Sequence, residues 1–294
     1  MKRIPIIIDT DPGIDDFFCL ALGCTYDDVF NLKAVTTIGG NNYTDVTTQN
    51  ALNILNLFHK DIPVARGADS FLKKPFGEPV VEFHGENGIG NITLETSPNQ
   101  IDALPAWDKI YEVAKEENGE LILVTVAPLT NIALALQKYP DLPRYIKKIV
   151  MMGGSITKGN LTPYAEANTG NDPDASDIVF SSNIPIDMIG LNVTSICPIN
   201  LSIFESFDNN YTTIMKELIK YRKGDPMHDA IAISTLINNN IMTWATGTVH
   251  IVVEDNEHKG QTVLTENTNG IHRVATKVDT TLYNNVIKEM ITRL

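Results

Sequence analysis

The feature that most constrains this fold is a set of short Ile/Val/Leu runs, most of them adjoined by a segment of helical period. The runs are IPIIID (4–9), KAVTTI (33–38), LILVTV (121–126), IKKIVMMG (146–153) and IPIDMIG (184–190). They are continuous rather than alternating, the pattern of strands buried on both faces. A helix beginning near Ile14 follows the first run. TDVTTQNALNILNLFHK (44–60) follows the second, with Thr44 placed to cap it and Leu52, Leu55 and Phe58 on one face. LTNIALALQKY follows the third and stops before Pro140, and a helix around 174–182 precedes the fifth. This alternation predicts the α/β class: a mostly parallel, Rossmann-like central sheet covered by helices. After residue 200 the pattern changes. A helix rich in Tyr, Lys and Glu reaches Arg222, KGDPM forms a loop, and HDAIAISTLINN resumes helical period. TVHIVVE and QTVLT read as a small antiparallel strand pair, and HRVATKV precedes a final helix. With no fixed-period repeat or low-complexity linker, residues 1–294 are expected to form a single domain with insertions.

In open α/β sheets ligands sit beyond the carboxyl ends of the strands. There the first run ends in DTDPGIDD, which crowds Asp9, Asp11, Asp15 and Asp16 into eight positions. Two carboxylates about 4 Å apart repel by roughly 4 kcal/mol at an effective dielectric near 20, so solvent, a shared proton or a bound cation has to offset them. Helix-dipole complementation accounts for Asp15 and Asp16 in a first helical turn but leaves Asp9 and Asp11 unexplained. A hard cation with oxygen ligands accounts for the set better, and the absence of His and Cys from it disfavours zinc. TIGGNN, VAPLTN and MMGGS end other strands on the same side, so Gly, Asn and Asp converge on one crevice. His228 and Asp229 open a helix after a loop containing Gly and Pro, and the polar loop 159–174 carries Glu166 and Asn168.

A net charge of −13 and a sequence pI near 4.8 argue against nucleic acid and against an anionic membrane surface as partners. No signal-peptide pattern and no run of about 18 apolar residues is found. Cys19, Cys24 and Cys197 are odd in number and lack metal-ligand spacing, the usage expected of reduced core residues in a cytoplasmic protein.

DTDPGIDD, FHGENGIG (83–90), APLTNIALAL (127–136), MMGGS, GNLTPYAEANTGNDPDA, MHDAIAI and VATKVD resemble, in order and spacing, the inosine-uridine nucleoside hydrolases. The resemblance runs from Ile6 to about Asp279. It implies an α/β sheet fold, hydrolysis of the N-glycosidic bond of ribonucleosides, calcium (Ca²⁺) as cofactor and assembly as a homo-oligomer, a dimer or tetramer. Carried over by position, it implies Ca²⁺ between Asp11, Asp16, Asp229 and the backbone carbonyl of Val126, where many relatives have Thr. It assigns ribose contacts to Asp15, Asn41, Asn160, Glu166 and Asn168, with Met152 packing nearby. It sets His84 and His228 near the base, with His228 as proton donor to it, and gives Asp11 the role of base toward water. Asp9 is expected to support these groups without touching the metal. Carboxylates around a sugar suit an oxocarbenium-like centre, and a donor beside the base suits a poor leaving anion.

Three departures stand out: Phe17 and Phe18 where small residues are more common, Asn192 where Asp is common, and the loop KYRKGDP, in which Tyr221 or Arg222 is a candidate to reach the leaving base. The resemblance leaves purine or pyrimidine preference open. A D-x-D after a first strand also occurs in haloacid dehalogenase phosphatases, but the later lysine and second Asp pair they need are not found. A binding module without turnover is disfavoured because both Asp11 and His228 are present.

Overall fold

The computed structural model describes residues 2–294. The strands are β1 (Ile4–Thr10), β2 (Phe30–Thr37), β3 (Val64–Arg66), β4 (Leu121–Thr125), β5 (Ile146–Met152), β6 (Ile186–Ile189), β7 (Met242–Ile251), β8 (Thr262–Glu266) and β9 (His272–Val278). The helices are α1 (Ile14–Thr25), α2 (Thr44–Leu57), α3 (Val81–His84), α4 (Ala106–Glu117), α5 (Thr130–Lys138), α6 (Ala167–Asn171), α7 (Pro173–Phe180), α8 (Leu191–Thr194), α9 (Asn210–Tyr221), α10 (His228–Ile237) and α11 (Thr280–Thr292). The described residues place nine strands in one sheet, ordered β3-β2-β1-β4-β5-β6-β9-β7-β8. β3 through β6 and β9 run parallel; β7 is antiparallel to β9 and to β8. The α/β sheet and the antiparallel β7–β8 pair are therefore as expected.

The central strands explain their own composition. All five residues of β4 and six of the seven in β1 are buried, so apolar side chains cover both faces. Strand order reverses between β1 and β4, the place where a doubly wound sheet opens a crevice at its carboxyl edge. α1 is buried along nearly all its length, from Ile14 to Cys24, and packs on α10, itself buried from Asp229 to Thr235. Phe17 and Phe18 belong to this interior: their rings meet edge-on at 5.8 Å, and Phe17 also meets Phe58 at 5.9 Å. The large side chains therefore fill the core between α1 and α2.

Several elements differ from the sequence reading. Thr44 does not cap α2; its hydroxyl donates to the Ala68 carbonyl at 2.9 Å, and Tyr43 takes the capping position. α2 ends at Leu57 because His59 turns left-handed at φ 53°. β3 has only three residues, too few to show a period. α4 buries Ala106, Ile110, Val113 and Ala114 along one stripe, a helical period diluted by the charged residues between them. HRVATKV, to which the sequence reading assigned no element, is an interior strand, β9, and β7 starts at Met242, pairing with β9 before it pairs with β8.

Asn131 ties the carboxyl edge together. Its side-chain amide donates to Asp9 at 2.9 Å and to the Thr37 carbonyl at 3.0 Å, and its oxygen accepts from the Ala68 amide at 3.1 Å. One fully buried side chain thus links α5, β1, β2 and the end of β3. Truncation would strip the Ala68 amide and the Thr37 carbonyl of this partner, each costing about 1–3 kcal/mol, and leave Asp9 Oδ1 with Thr36 alone. Asn131→Ala is expected to lower the unfolding free energy by about 3 kcal/mol or more in urea titrations. A loss under about 1 kcal/mol would contradict this role.

Candidate active site

Chain reversal after β1 creates the acid cluster. Pro12 and Gly13 turn the chain from β1 into α1, so Asp11 lies in the turn and Asp15 and Asp16 in the first helical turn. Asp229 enters from the first turn of α10. Carboxylate oxygens of Asp15, Asp16 and Asp229 all lie within 4.8 Å of one another, and all three residues are buried. The amino ends of α1 and α10 thus converge, and their partial positive charge faces the acids.

Asp16 is held on both oxygens. The Thr10 hydroxyl and the Asp11 amide (3.2 Å) donate to Oδ1, and the Gly13 amide (2.9 Å) and Asn41 side chain (3.1 Å) donate to Oδ2. Asp11 Oδ2 accepts from the Asn41 amide at 2.8 Å. Gly40 makes this approach possible: a Cβ there would lie 2.1 Å from Asp11 Oδ2. Asp9 stands behind the cluster, bonded to Thr36 (2.5 Å) and Asn131, and does not reach the cleft.

The charges strain one another. Burial first and the Asp16 charge next push the Asp11 carboxyl well above its ordinary value. Asp229 is pushed up by burial and by Asp15, Asp16 and Asp11. Burial and the Asp15 charge bring Asp16 to about 6. Asp15 goes the other way: burial opposes its ionisation, but Arg222, His84 and His228 together hold its carboxyl below the usual range. Its Oδ1 is buried without a hydrogen-bond partner. Packed, oxygen-only donors with one oxygen unspent form a set that can hold a metal ion.

A cleft of about 690 Å³ opens over the cluster, lined by Asp11, Asp15, Asn41, His84, Val126, Met152, Asn160, Glu166, Asn168, Arg222, His228 and Asp229 among others. Asp16 lies beneath it, fully buried. Every other candidate for metal, ribose or base contact therefore opens onto one cavity. Four of them show additional local duties. Asn41 bonds Asp11 and Asp16, as described, and also donates to the Asp11 carbonyl at 3.1 Å. Glu166 accepts from the Gly154 (2.8 Å), Asn168 (2.9 Å) and Thr169 (3.2 Å) amides, tying the loop after β5 to α6. Burial outweighs these bonds and brings its carboxyl to about 7. The Asn168 side chain donates to the Val126 and Met152 carbonyls at 3.1 Å each, and Asn160 accepts from the Ala167 amide at 2.9 Å.

The histidines border the acid cluster: His84 Nδ1 lies 4.0 Å from Asp15 Oδ1, and His228 precedes Asp229 at the start of α10. His84 Nδ1 accepts from the Ile14 amide at 3.1 Å, which leaves the ring proton on Nε2. Burial brings its pKa down to about 4, with Arg222 and His228 adding to the effect against Asp15. His228 Nδ1 lies 2.7 Å from the Thr194 hydroxyl, and burial chiefly holds its pKa below the ordinary value. Arg222 also lines the cleft; Tyr221 does not, its hydroxyl donating instead to the Val81 carbonyl at 3.5 Å. Asn192 lines the cleft and donates to the Ala275 carbonyl at 2.8 Å, which anchors α8 to β9. Sequence reasoning missed Thr10, Thr36, Asn131 and Gly40, whose partners become visible only once β1, β2 and α5 are adjacent. The GG of TIGGNN was the available signal for Gly40.

Comparison with known proteins agrees with this geometry. The family model described as inosine-uridine preferring nucleoside hydrolase matches residues 6–285. The chain is 36% identical over 279 residues to the pyrimidine-specific ribonucleoside hydrolase RihA of Enterobacter sp. (strain 638), covering 89% of this chain and 88% of that one. It is 35% identical over 267 residues to the non-specific ribonucleoside hydrolase RihC of Salmonella newport (strain SL254), covering 88% and 87%. Among solved structures, the plant nucleoside hydrolase PpNRh1 superposes with a TM-score of 0.91 at 29% identity, covering 99% of both chains. The purine-preferring ribonucleoside hydrolase from Gardnerella vaginalis gives 0.92 at 27% identity, covering 98% of both. The chain belongs to the inosine-uridine preferring nucleoside hydrolase family, and so to the enzymes that hydrolyse the N-glycosidic bond of ribonucleosides.

Proposed function

We propose that this enzyme releases free base and ribose from purine or pyrimidine ribonucleosides in a calcium-dependent reaction, with the acid cluster under the cleft as its metal site. The observation that carries this reading is the convergence of Asp15, Asp16 and Asp229 at two helix amino ends, with Asp11 beside them. Asp11, Asp16, Asp229 and the Val126 carbonyl would hold the ion, and the unspent oxygen of Asp15 supports a place for that residue against both ion and ribose. Calcium, when bound, would neutralise part of the cluster and increase the acidity of a water in the cleft.

The remaining chemistry belongs to the side chains. Asp11 keeps one oxygen clear of Asn41 and takes the proton of the attacking water. Asp15, Asn41, Asn160, Glu166 and Asn168 receive the ribose hydroxyls with Met152 packing nearby, and Asn41 also fixes Asp11 and Asp16. Their charge stabilises the cationic ribosyl centre as the C–N bond breaks. His228, in the tautomer whose Nδ1 accepts from Thr194, would present Nε2–H to the departing base, and His84 a second donor. The acidity of the chain supports a small-molecule substrate rather than nucleic acid or a membrane surface, and no helix among the described residues is long and apolar enough to cross a membrane. Three buried free cysteines support a cytoplasmic location, and the family resemblance supports a homo-oligomer, dimer or tetramer.

Ribose release from inosine and uridine tests the reading. Thorough chelation is expected to abolish it and calcium to restore it; full activity in protein shown to be metal-free would contradict the proposal. Asp11→Asn is expected to lose about 10²–10⁴ in turnover while still binding calcium. A loss within about threefold would remove Asp11 as base. His228→Ala is expected to cost inosine about 10²-fold or more and uridine less, because N7 of a purine offers a basic acceptor that uracil lacks. Equal losses at unchanged calcium affinity would make His228 a positioning residue.

A further inference from the structure

The relatives range from pyrimidine-specific to non-specific to purine-preferring, so base choice is set by residues particular to each chain. Beside the carboxylates, the cleft lining includes Val80, Phe83, His84, Ile196, Arg222 and His228. The carboxylates suit ribose hydroxyls, and this second set suits a flat, partly apolar ring. Arg222 is the buried cation of the lining, Lys158 being exposed. It follows the last turn of α9, with its amide donating to Leu218 O at 3.1 Å and its carbonyl accepting from the Asp225 amide at 3.0 Å. The residue is only 9% exposed, yet its Nε has no hydrogen-bond partner. Its ion pair with Asp225 is long, 3.8 Å, and Asp225 is itself solvent-exposed. The guanidinium lies over the Phe83 ring, 5.4 Å from its centre, which fixes its plane at the cleft wall.

A buried guanidinium with an unspent donor is costly unless a ligand completes it. Guanidinium donates and never accepts. It therefore matches a ring carbonyl and mismatches an exocyclic amino group, whose N–H bonds would face its own. We infer that Arg222 donates hydrogen bonds to a carbonyl oxygen of the nucleobase and is the residue that selects oxo-substituted nucleosides over their amino-substituted counterparts. This inference rests on the ribonucleoside hydrolase reading and adds a specificity residue to it. When the C–N bond breaks, its electron pair moves onto the base, and the negative charge spreads to the carbonyl oxygen. Arg222 stabilises that charge without transferring a proton.

Matched pairs isolate this contact: inosine against adenosine and uridine against cytidine differ at the oxo or amino group. With calcium-loaded protein, kcat/KM is expected to favour the oxo member of a hydrolysed pair by about tenfold or more. Arg222→Met should lower that ratio by about tenfold or more, and Arg222→Lys, which keeps the charge but loses the planar fork, should lower it by less. Thermal unfolding confirms that each variant is folded; where Arg222→Met is not, an unchanged ratio in Arg222→Lys decides against the inference. An oxo-to-amino ratio in folded Arg222→Met within about twofold of wild type would overturn the role of Arg222 alone. Absence of ribose release from all four nucleosides by the calcium-loaded wild-type enzyme would overturn the hydrolase reading and this inference with it.

Discussion

Mutual repulsion among buried carboxylates is the constraint on which the rest of this structure depends. Oxygens within 4.8 Å repel by about 3.5 kcal/mol per charged pair at an effective dielectric near 20. The fold assembles them nevertheless, because Asp11, Asp15 and Asp16 are fixed by the turn from β1 into α1, and Asp229 by the packing of α10 on α1. Both helices are apolar almost throughout, so burial holds their amino ends together against the charge. The amides of Asp11, Gly13 and Asn41 and the hydroxyl of Thr10 offset part of the cost. The shifted carboxyls of Asp11, Asp16 and Asp229 show that these donors do not offset all of it. A metal ion held by the cluster, as proposed, would offset the remainder.

Function follows from the same arrangement. A cluster placed where strand order reverses opens onto a cleft rather than onto solvent at large, so groups from many parts of the chain reach one substrate. The carboxylates prefer a ligand that is positively charged or rich in hydroxyls, whereas the other lining residues offer donors and apolar faces. A ribonucleoside has both characters in one molecule, joined by the bond to be broken. The low pKa of His84 and the bond from the Ile14 amide keep that ring neutral, a hydrogen-bond donor rather than an acid. His228 is biased in the same direction, which gives the permanent charge of Arg222 added importance among those donors.

The interior of the sheet was legible because β1, β4, β5 and β6 are buried on both faces and so spell continuous apolar runs. β3 and the first half of β7 were not, since three residues show no period and β7 mixes exposed Thr with its buried positions. β9 was left unassigned because its neighbour β6 is distant in sequence and its Arg and Lys obscure the pattern. At the site, the acids stood out through their crowding. The helpers did not: Thr10, Thr36, Asn131 and Gly40 are ordinary residues until β2 and α5 flank β1. Asn41, which lines the cleft as expected of a ribose contact, also holds Asp11 and Asp16, a second duty that was invisible in one dimension.

The most direct measurement is the stability of metal-free and calcium-loaded protein between pH 5 and about 8, with bound calcium counted in the same samples. Carboxyls raised by burial, Asp9 and Asp16 to about 6 and Glu166 to about 7, bind more protons folded than unfolded. Metal-free protein should therefore lose stability as pH rises through that range. Calcium, which binds the deprotonated cluster, should stabilise progressively more as pH rises, saturating at one ion per chain, and Asp16→Asn or Asp229→Asn should remove the gain. Equal stability with and without calcium near pH 7.5, or a gain that survives both substitutions, would contradict the account.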